Sequence, residues 1–205
     1  MIEVELKCKL SSASWPRLQE KLQATKLCEQ VTNYDVYYDT KSYDLLRQAV
    51  FVRVRNYRQL QFKFNAEQDK AHTHCVERTF SLPLDPASTE EANTLFARFL
   101  PEWINGFWSE KAIEKNGLTK LAFIENARET YTMNDLYISI DHVKELGDFL
   151  EIEIHGEEGG NTGETLTTLK TFASDINIEP VNVGYVEMWL RRHNPLAYQQ
   201  GRYRL

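Results

Sequence analysis

The sequence predicts an α+β fold built mainly from antiparallel strands, and three observations carry that expectation. The chain opens on a strict alternation in which Ile2, Val4, Leu6, Cys8 and Leu10 are apolar while Glu3, Glu5, Lys7 and Lys9 between them are charged. Period-two alternation marks a strand with one apolar and one charged face. The pattern returns in Val50–Tyr57, where Val50, Val52 and Val54 oppose Phe51, Arg53, Arg55 and Tyr57, and in Leu60–Asn65, where Phe62 and Phe64 oppose Gln61, Lys63 and Asn65. The third observation is a hairpin, Tyr137–Val143 and Phe149–Ile154, turning at Gly147.

The remaining elements follow in order. Ser11 to Leu27 reads as a helix, with Ser14 as N-cap, Pro16 in the first turn and an apolar stripe of Trp15, Leu18 and Leu22. Val31–Thr40 is rich in β-branched and aromatic residues and reads as a strand, as does Cys75–Leu82 with Glu77 on one face. Ser88–Leu100 reads as a helix opened by a capping box of Ser88 and Glu91 and ended by Pro101. Strands are predicted at Leu121–Ile124 and Ala127–Met133, a loop at Gly156–Gly163 and a helix at Glu164–Ile176. Gly184–His193 reads as a last helix or extended segment that Pro195 breaks. No repeat, low-complexity tract or linker divides the chain, so residues 1–205 read as one domain.

Composition narrows the function classes. With 205 residues, 42% apolar and 26% charged, the chain can bury a sizeable core and has the balance of a soluble protein. No apolar run has bilayer length and no signal-peptide pattern opens the chain, so no membrane partner is expected. Cys8, Cys28 and Cys75 are odd in number and widely spaced, which points to free thiols and a cytoplasmic location. A net charge of −6 argues against nucleic acid. A polyanion would have to be met by a local basic cluster or by metal. Nothing in the pattern specifies an oligomeric state.

Taken alone, the charged face of the first strand has two readings. It is either a solvated surface or the lining of a site, in which Glu3 and Glu5, about 7 Å apart along a strand, grip one hard divalent cation through oxygen. The other strands bear on the choice. Arg53 and Arg55 share a face, Lys63 stands on the next strand, and Arg128 on a later one. Glu151 and Glu153 repeat the spacing of Glu3 and Glu5, with Asp141 on their hairpin partner and Glu77 on a strand between. If the sheet closes into a barrel, the charged faces point inward and the apolar faces lie outward under the helices. So many enclosed charges are tolerated only when they pair or hold ions. A divalent cation with a triphosphate satisfies both signs, and guanidinium forks suit phosphate oxygens.

Those residues resemble a family. Glu3-x-Glu5-x-Lys7, Tyr37-Tyr38-Asp39-Thr40, Arg53-x-Arg55, Gln61-Phe62-Lys63, and Asp141-x-Val143 followed by Leu146-Gly147-x-Phe149-x-Glu151-Ile152-Glu153 resemble, in register, the signatures of the CYTH superfamily, the triphosphate tunnel metalloenzymes. The resemblance implies a closed eight-stranded antiparallel β-barrel, or tunnel, with flanking helices. It implies a small-molecule triphosphate as partner and Mg²⁺ or Mn²⁺ as cofactor. Glu3, Glu5, Asp141, Glu151 and Glu153 would be the metal ligands or their near neighbours. Lys7, Arg53, Arg55, Lys63 and Arg128 would clamp the phosphates. Lys7 and Glu5 would be catalytic, with Tyr38 pairing Lys7 as a base. The segment Trp189–Tyr198 is similar to the tail of animal thiamine triphosphatases, and Phe51 falls where those enzymes place a ring able to stack on the substrate's organic part. The chain departs from the family pattern before Arg128, where Glu125, Asn126 and Ala127 replace a common lysine, and in Val181–Tyr185, which lacks another.

The expected activity is therefore metal-dependent hydrolysis of thiamine triphosphate or inorganic triphosphate. The alternatives are a class IV adenylyl cyclase and a non-catalytic polyphosphate or nucleotide binder. Other signals read as structure. His72-Thr73-His74-Cys75 reads as a polar loop, His142 as an outer-face residue, and Trp103, Phe107 and Trp108 as packing over the barrel.

Overall fold

The alternating stretches form eight antiparallel strands: β1 (Ile2–Lys9), β2 (Lys26–Thr40), β3 (Phe51–Arg55), β4 (Gln59–Phe64), β5 (His74–Ser81), β6 (Leu118–Met133), β7 (Leu136–Val143) and β8 (Gly147–Gly156). The helices are α1 (Trp15–Leu22), α2 (Asp44–Arg47), α3 (Pro86–Phe99), α4 (Glu110–Lys115), α5 (Thr162–Asp175), α6 (Tyr185–His193) and α7 (Pro195–Gln200). The computed structural model describes residues 2–65, 74–106, 108–156 and 162–203. The strands run β1-β5-β4-β3-β2-β6-β7-β8 in one strongly curled sheet, and β1 pairs on both edges, with β8 from Ile2↔Gly156 to Lys9↔Phe149 and with β5 from Ile2↔Val76 to Val4↔His74.

Register decides what the sheet encloses. Glu5 stands opposite Glu153, Lys7 opposite Glu151, Arg53 opposite both Tyr37 and Gln61, and Asp35 opposite Arg55. Because side chains alternate between faces, these polar groups share the concave face. The intervening residues lie outside and need cover. On one side Val4, Leu6, Cys8, Leu150 and Ile152 pack against Leu18 of α1 and Leu169 and Phe172 of α5. Cys8 packs there as an apolar residue, its thiol pushed up to about 12, mainly by burial. On the other side Val52, Leu60, Phe62 and Phe80 meet Ala92 and Phe96 of α3. Trp103 and Trp108 stack on Phe96, with ring centroids 3.9 and 5.5 Å away, so both cover the barrel as expected.

A third apolar cluster sits on the inner face. Tyr37, Ala122, Ile124 and Phe149 pack there against Val186 and Leu190 of α6 and Ala197 of α7. The C-terminal helices thus fill one end of the barrel.

Several boundaries differ from expectation, each for a local reason. Helix α1 is shorter than Ser11–Leu27, because Lys26 and Leu27 already pair with Thr132 and Tyr131 as the start of β2. The two strands expected at 121–133 are one strand, β6, because Glu125 and Asn126 pair without a break with Tyr34 and Asn33; the ladder overrides their weak strand propensity. Asp85, not Ser88, caps α3, its carboxylate accepting from the Ser88 N–H at 2.7 Å, with Pro86 in the first turn. Pro195 opens α7 rather than breaking the chain, with Asn194 capping the Ala197 N–H at 3.1 Å. The short helices α2 and α4 carried no sequence signal. Gly147, at φ 107°, makes the β7–β8 turn as predicted.

Among the described residues no helix is long and apolar enough to cross a membrane, and Cys8 and Cys28 are free thiols. His72, Phe107 and most of the loop at 156–163 lie outside the described residues.

Phe62 is fully buried, with its ring edge-on to Phe80 and Phe96 at 6.1 and 4.7 Å. Phe62→Ala is expected to cost about 3–5 kcal/mol. A urea unfolding midpoint displaced downward at unchanged m-value is the expected reading; an unmoved midpoint would place Phe62 outside the core.

Candidate functional site

The lumen holds a cavity of about 610 Å³ whose walls carry six cationic side chains, Lys7, Arg53, Arg55, Lys63, Arg128 and Arg202, and six carboxylates, Glu5, Asp35, Glu77, Glu151, Glu153 and Glu187. Formal charge is therefore balanced inside it. The balance is made by named pairs. Asp35 of β2 accepts from Arg55 Nε and Nη2, both at 2.8 Å, and from Arg53 Nη1 at 3.1 Å. Arg53 also donates to Gln61 Oε1 at 2.7 Å and to the Tyr37 hydroxyl at 3.1 Å. Lys63 of β4 bridges the barrel to Glu5 of β1 at 2.8 Å. Lys7 contacts Glu151 of β8 at 2.6 Å and Glu5 at 3.9 Å.

Arg128 of β6 completes the ring. It donates to both oxygens of Asp141, at 2.6 and 2.5 Å, and also to Glu151. Asp141 is fully buried and accepts further from Asn126 Nδ2 at 2.8 Å and from the Tyr185 hydroxyl at 2.6 Å. The Tyr185 ring, at the start of α6, lies 4.4 Å from Lys7 Nζ.

These contacts set the protonation states. Burial pushes the Glu5 carboxyl up, but the ammoniums of Lys63 and Lys7 outweigh it and leave Glu5 below the usual range, although Glu151 is close enough to push back. Burial likewise opposes ionisation of Glu151 and Asp35. Arg128 and Lys7 nonetheless hold Glu151 well below the ordinary range, and Arg53 and Arg55 lower Asp35. Burial pulls Lys7 down, but Glu151 and then Glu5 more than offset it, so Lys7 is held above its ordinary value and stays a cation at neutral pH.

The expected residues divide cleanly. Glu5, Lys7, Phe51, Arg53, Arg55, Lys63, Arg128, Glu151 and Glu153 all line the one cavity. The side chain of Glu3, and those of His74 and Cys75, lie outside the described residues. Tyr38 is misplaced by the expectation. Tyr37 points inward opposite Arg53, so its neighbour Tyr38 turns out to meet Trp108 edge-on at 5.6 Å, and it cannot serve Lys7 as a base. Asp141 is corrected too. It does not line the cavity, and four N–H and O–H groups already occupy its oxygens, so it anchors Arg128 instead of offering itself to a metal. His142 lies exposed on the outer face, 2.5 Å from Asp148, as expected.

Sequence reasoning missed Asp35, Tyr37, Asn126, Tyr185 and the tail residues Arg202 and Tyr203, all of which line the cavity. The alternation of Asp35 with Tyr37 was a usable signal for those two. The tail gave none, because long-range docking brings it there: Arg47 holds Gln200 at 2.7 Å, and Asn65 donates to the Tyr203 hydroxyl at 2.5 Å.

The donor set bears on a metal. Among the described residues no His or Cys lines the cavity. Its oxygen-only ligands suit a hard cation such as Mg²⁺ or Mn²⁺, not a soft one. The mutual repulsion of Glu5 and Glu151 is the kind a cation relieves. In the present arrangement the lysines occupy these carboxylates, and among the described residues no three acidic, His or Cys side chains converge closely enough to hold an ion.

Fold and site together define a curled antiparallel barrel whose lumen is an ion-paired cavity. A CYTH domain matches residues 1–183, and the chain belongs to the CYTH family. Among solved structures it is similar to the PH1819 protein of Pyrococcus horikoshii OT3, at 20% identity and a TM-score of 0.68 over 93% of this chain and 99% of that one. It is similar to a candidate adenylate cyclase of Vibrio parahaemolyticus, at 15% identity and TM-score 0.59 over 92% and 97%. A Hippeastrum protein put forward as an adenylyl cyclase, with a dominant triphosphatase activity, matches at 18% identity and TM-score 0.56 over 93% and 94%. Likeness at these identities shows the fold. No curated protein matches the chain.

The ion pairs predict an acid response. Asp35, Glu5 and Glu151 are held below the usual range in the folded protein, whereas unfolded Asp and Glu titrate near pH 4. Their stabilising contribution is thus present above about pH 4 and is lost as pH falls through the lower folded values. Unfolding free energy should drop on acidification from pH 5 to pH 2, and Asp35→Asn should drop less steeply. Equal slopes would show that Asp35 keeps no such pairing in solution.

Proposed function

We propose that this protein is a divalent-metal-dependent hydrolase of a triphosphate, either thiamine triphosphate or inorganic triphosphate, bound in the barrel lumen as a closed tunnel. The observation that carries the reading is the placement of Lys7, Arg53, Arg55, Lys63 and Arg128 around a single cavity together with Glu5, Glu151 and Glu153. Phosphoryl transfer asks mainly for positioning and charge neutralisation, and this cavity is rich in both means.

The guanidiniums of Arg53, Arg55 and Arg128 take phosphate oxygens in bidentate fashion, while Lys7 and Lys63 act as point charges. Lys7 serves as a cation and not as a base: Glu151 and Glu5 hold it protonated before substrate enters, and anionic phosphate oxygens would do so in their place. The substrate's oxygens replace the carboxylates as partners of these cations, which releases Glu5 and Glu151 beside Glu153, the residue that stands opposite Glu5 in register. Those three would then hold Mg²⁺ or Mn²⁺, which supplies the positive charge that a balanced lumen lacks toward a polyanion. A water oriented by a Glu5 oxygen attacks the terminal phosphorus. The new P–O bond forms as the bridging P–O bond breaks; the diphosphate part leaves with the electron pair and the water proton passes to the phosphate products. Phe51, Ala49 and Ile124 all line the cavity, where an organic ring would find apolar surface.

A second reading, cyclisation of ATP, draws on the likeness to the Vibrio protein, whereas the dominant triphosphatase activity of the Hippeastrum protein supports the hydrolase. A third, a binder without turnover, draws on the present engagement of every cavity lysine by a carboxylate. One plate separates the three: purified protein with Mg²⁺ or Mn²⁺ against tripolyphosphate, thiamine triphosphate and ATP, reading phosphate and cyclic AMP. Phosphate without cyclic AMP is the expected result. Cyclic AMP would make it a cyclase, and binding without product a binder.

Two variants test the roles. Glu5→Gln should abolish metal-dependent turnover with the fold intact; full turnover at saturating Mg²⁺ would remove Glu5 from the metal set. Arg55→Ala should lower kcat/KM by about tenfold or more, as for a lost charge-assisted phosphate contact. An unchanged kcat/KM would place Arg55 outside the substrate's reach.

A further inference from the structure

The start of α6 lines the lumen with Tyr185, Val186 and Glu187, and Tyr185 is the residue that engages its ion pairs. Tyr185 donates its hydroxyl to Asp141 Oδ2 at 2.6 Å, and its ring lies 4.4 Å from Lys7 Nζ. Asp141 in turn receives the Arg128 fork through both oxygens. A single side chain at the end of the barrel that the C-terminal helices fill therefore contacts two partners on different strands: the Lys7 ammonium directly and the Arg128 guanidinium by way of a buried carboxylate. The ring itself is fixed, edge-on to Phe149 at 5.0 Å. Burial, and after it the charges of Glu151 and Asp141, hold the hydroxyl well above its ordinary range, so it remains a donor.

We infer that Tyr185 is a positioning residue that docks the C-terminal helices onto the anion-binding cations, holding Arg128 through Asp141 and Lys7 through its ring, so that the phosphate clamp is assembled only when α6 is seated. The inference rests on the triphosphate reading above and extends it to a residue outside the strands. Its physical basis is the geometry of Asp141. With four donors on its two oxygens it has one stable orientation, and that orientation aims Arg128 at Glu151 and the cavity. Removing the Tyr185 hydroxyl leaves Asp141 one donor short and frees Arg128 to swing toward Glu151 alone. A free guanidinium must lose side-chain entropy again on meeting phosphate.

Tyr185→Phe keeps the ring over Lys7 and deletes only the hydroxyl, whereas Tyr185→Leu deletes both. The measurement is tripolyphosphate affinity by calorimetry with Mg²⁺, for wild type, each variant, and each variant in an Arg128→Lys background, where the fork onto Asp141 is already lost. Tyr185→Phe should weaken binding about fivefold to tenfold and Tyr185→Leu more. In the Arg128→Lys background the Tyr185→Phe effect should fall to about twofold or less, because a residue acting through Arg128 is non-additive with it. Equal losses in both backgrounds would reduce Tyr185 to general packing and overturn the inference. Wild-type binding that Tyr185→Phe leaves unchanged would overturn it too, with the triphosphate reading intact. A wild type that binds neither tripolyphosphate nor thiamine triphosphate would overturn that reading and this inference with it.

Discussion

Charge inside a barrel is the condition to which the other features of this structure answer. An ionised side chain enclosed by protein is costly unless a partner or an ion meets it, and here six cations and six carboxylates face one cavity. The strands therefore could not be chosen independently. Asp35 must stand opposite Arg55, and Lys7 opposite Glu151. A slip of one residue in β1 would send Glu5 and Lys7 into the apolar layer and Leu6 and Cys8 into the lumen. The same inversion explains the helices. With the polar face inside, Val4, Leu150 and Phe62 face outward, and α1, α5 and α3 shield them.

The inner face is apolar where α6 and α7 meet it. Ile124 and Phe149 belong to the inner face, yet they pack against Val186 and Leu190 instead of facing charge. There the barrel gains a core from segments far along the chain, and the charged part of the cavity is confined above it. Tyr185 lies on the boundary, with its ring against Phe149 and its hydroxyl on Asp141. A folded α6 is thus part of the electrostatic arrangement, although it contributes no cation of its own to the wall.

Much of this was legible in the alternation itself. Glu5, Lys7, Arg53, Arg55, Lys63 and Glu151 could be assigned to one face because a strand offers only two, and the barrel argument made that face internal. The errors have physical causes. Tyr37 and Tyr38 are the same residue type in adjacent positions, and choosing between them requires the register Tyr37↔Arg53. Asp141 satisfied the composition of a metal ligand, but the pairing Arg128↔Asp141 on neighbouring strands gives it a guanidinium instead. The run Glu125-Asn126 suggested a break that its ladder with β2 overrides. Tyr185, Arg202 and Tyr203 belong to the site through docking of a C-terminal segment, and no periodicity encodes such a contact.

The balanced lumen also constrains what could enter it. A bare polyanion that took Lys7, Lys63 and Arg128 as partners would leave Glu5 and Glu151 buried without theirs, and the cost of stranding a buried charge rivals the gain of the new contacts. A bare cation taken by Glu5 and Glu151 would strand the lysines in the same way. Neither half of a metal–polyphosphate pair would be well received alone, whereas both together would exchange the Lys63–Glu5 and Lys7–Glu151 pairs for new ones. Uptake of anion and cation would then be coupled, each raising the affinity for the other by the same factor. That coupling arises from pairs already visible in the structure, Lys63 with Glu5 and Lys7 with Glu151, and it would favour ligands that carry their own counter-charge over phosphates that do not.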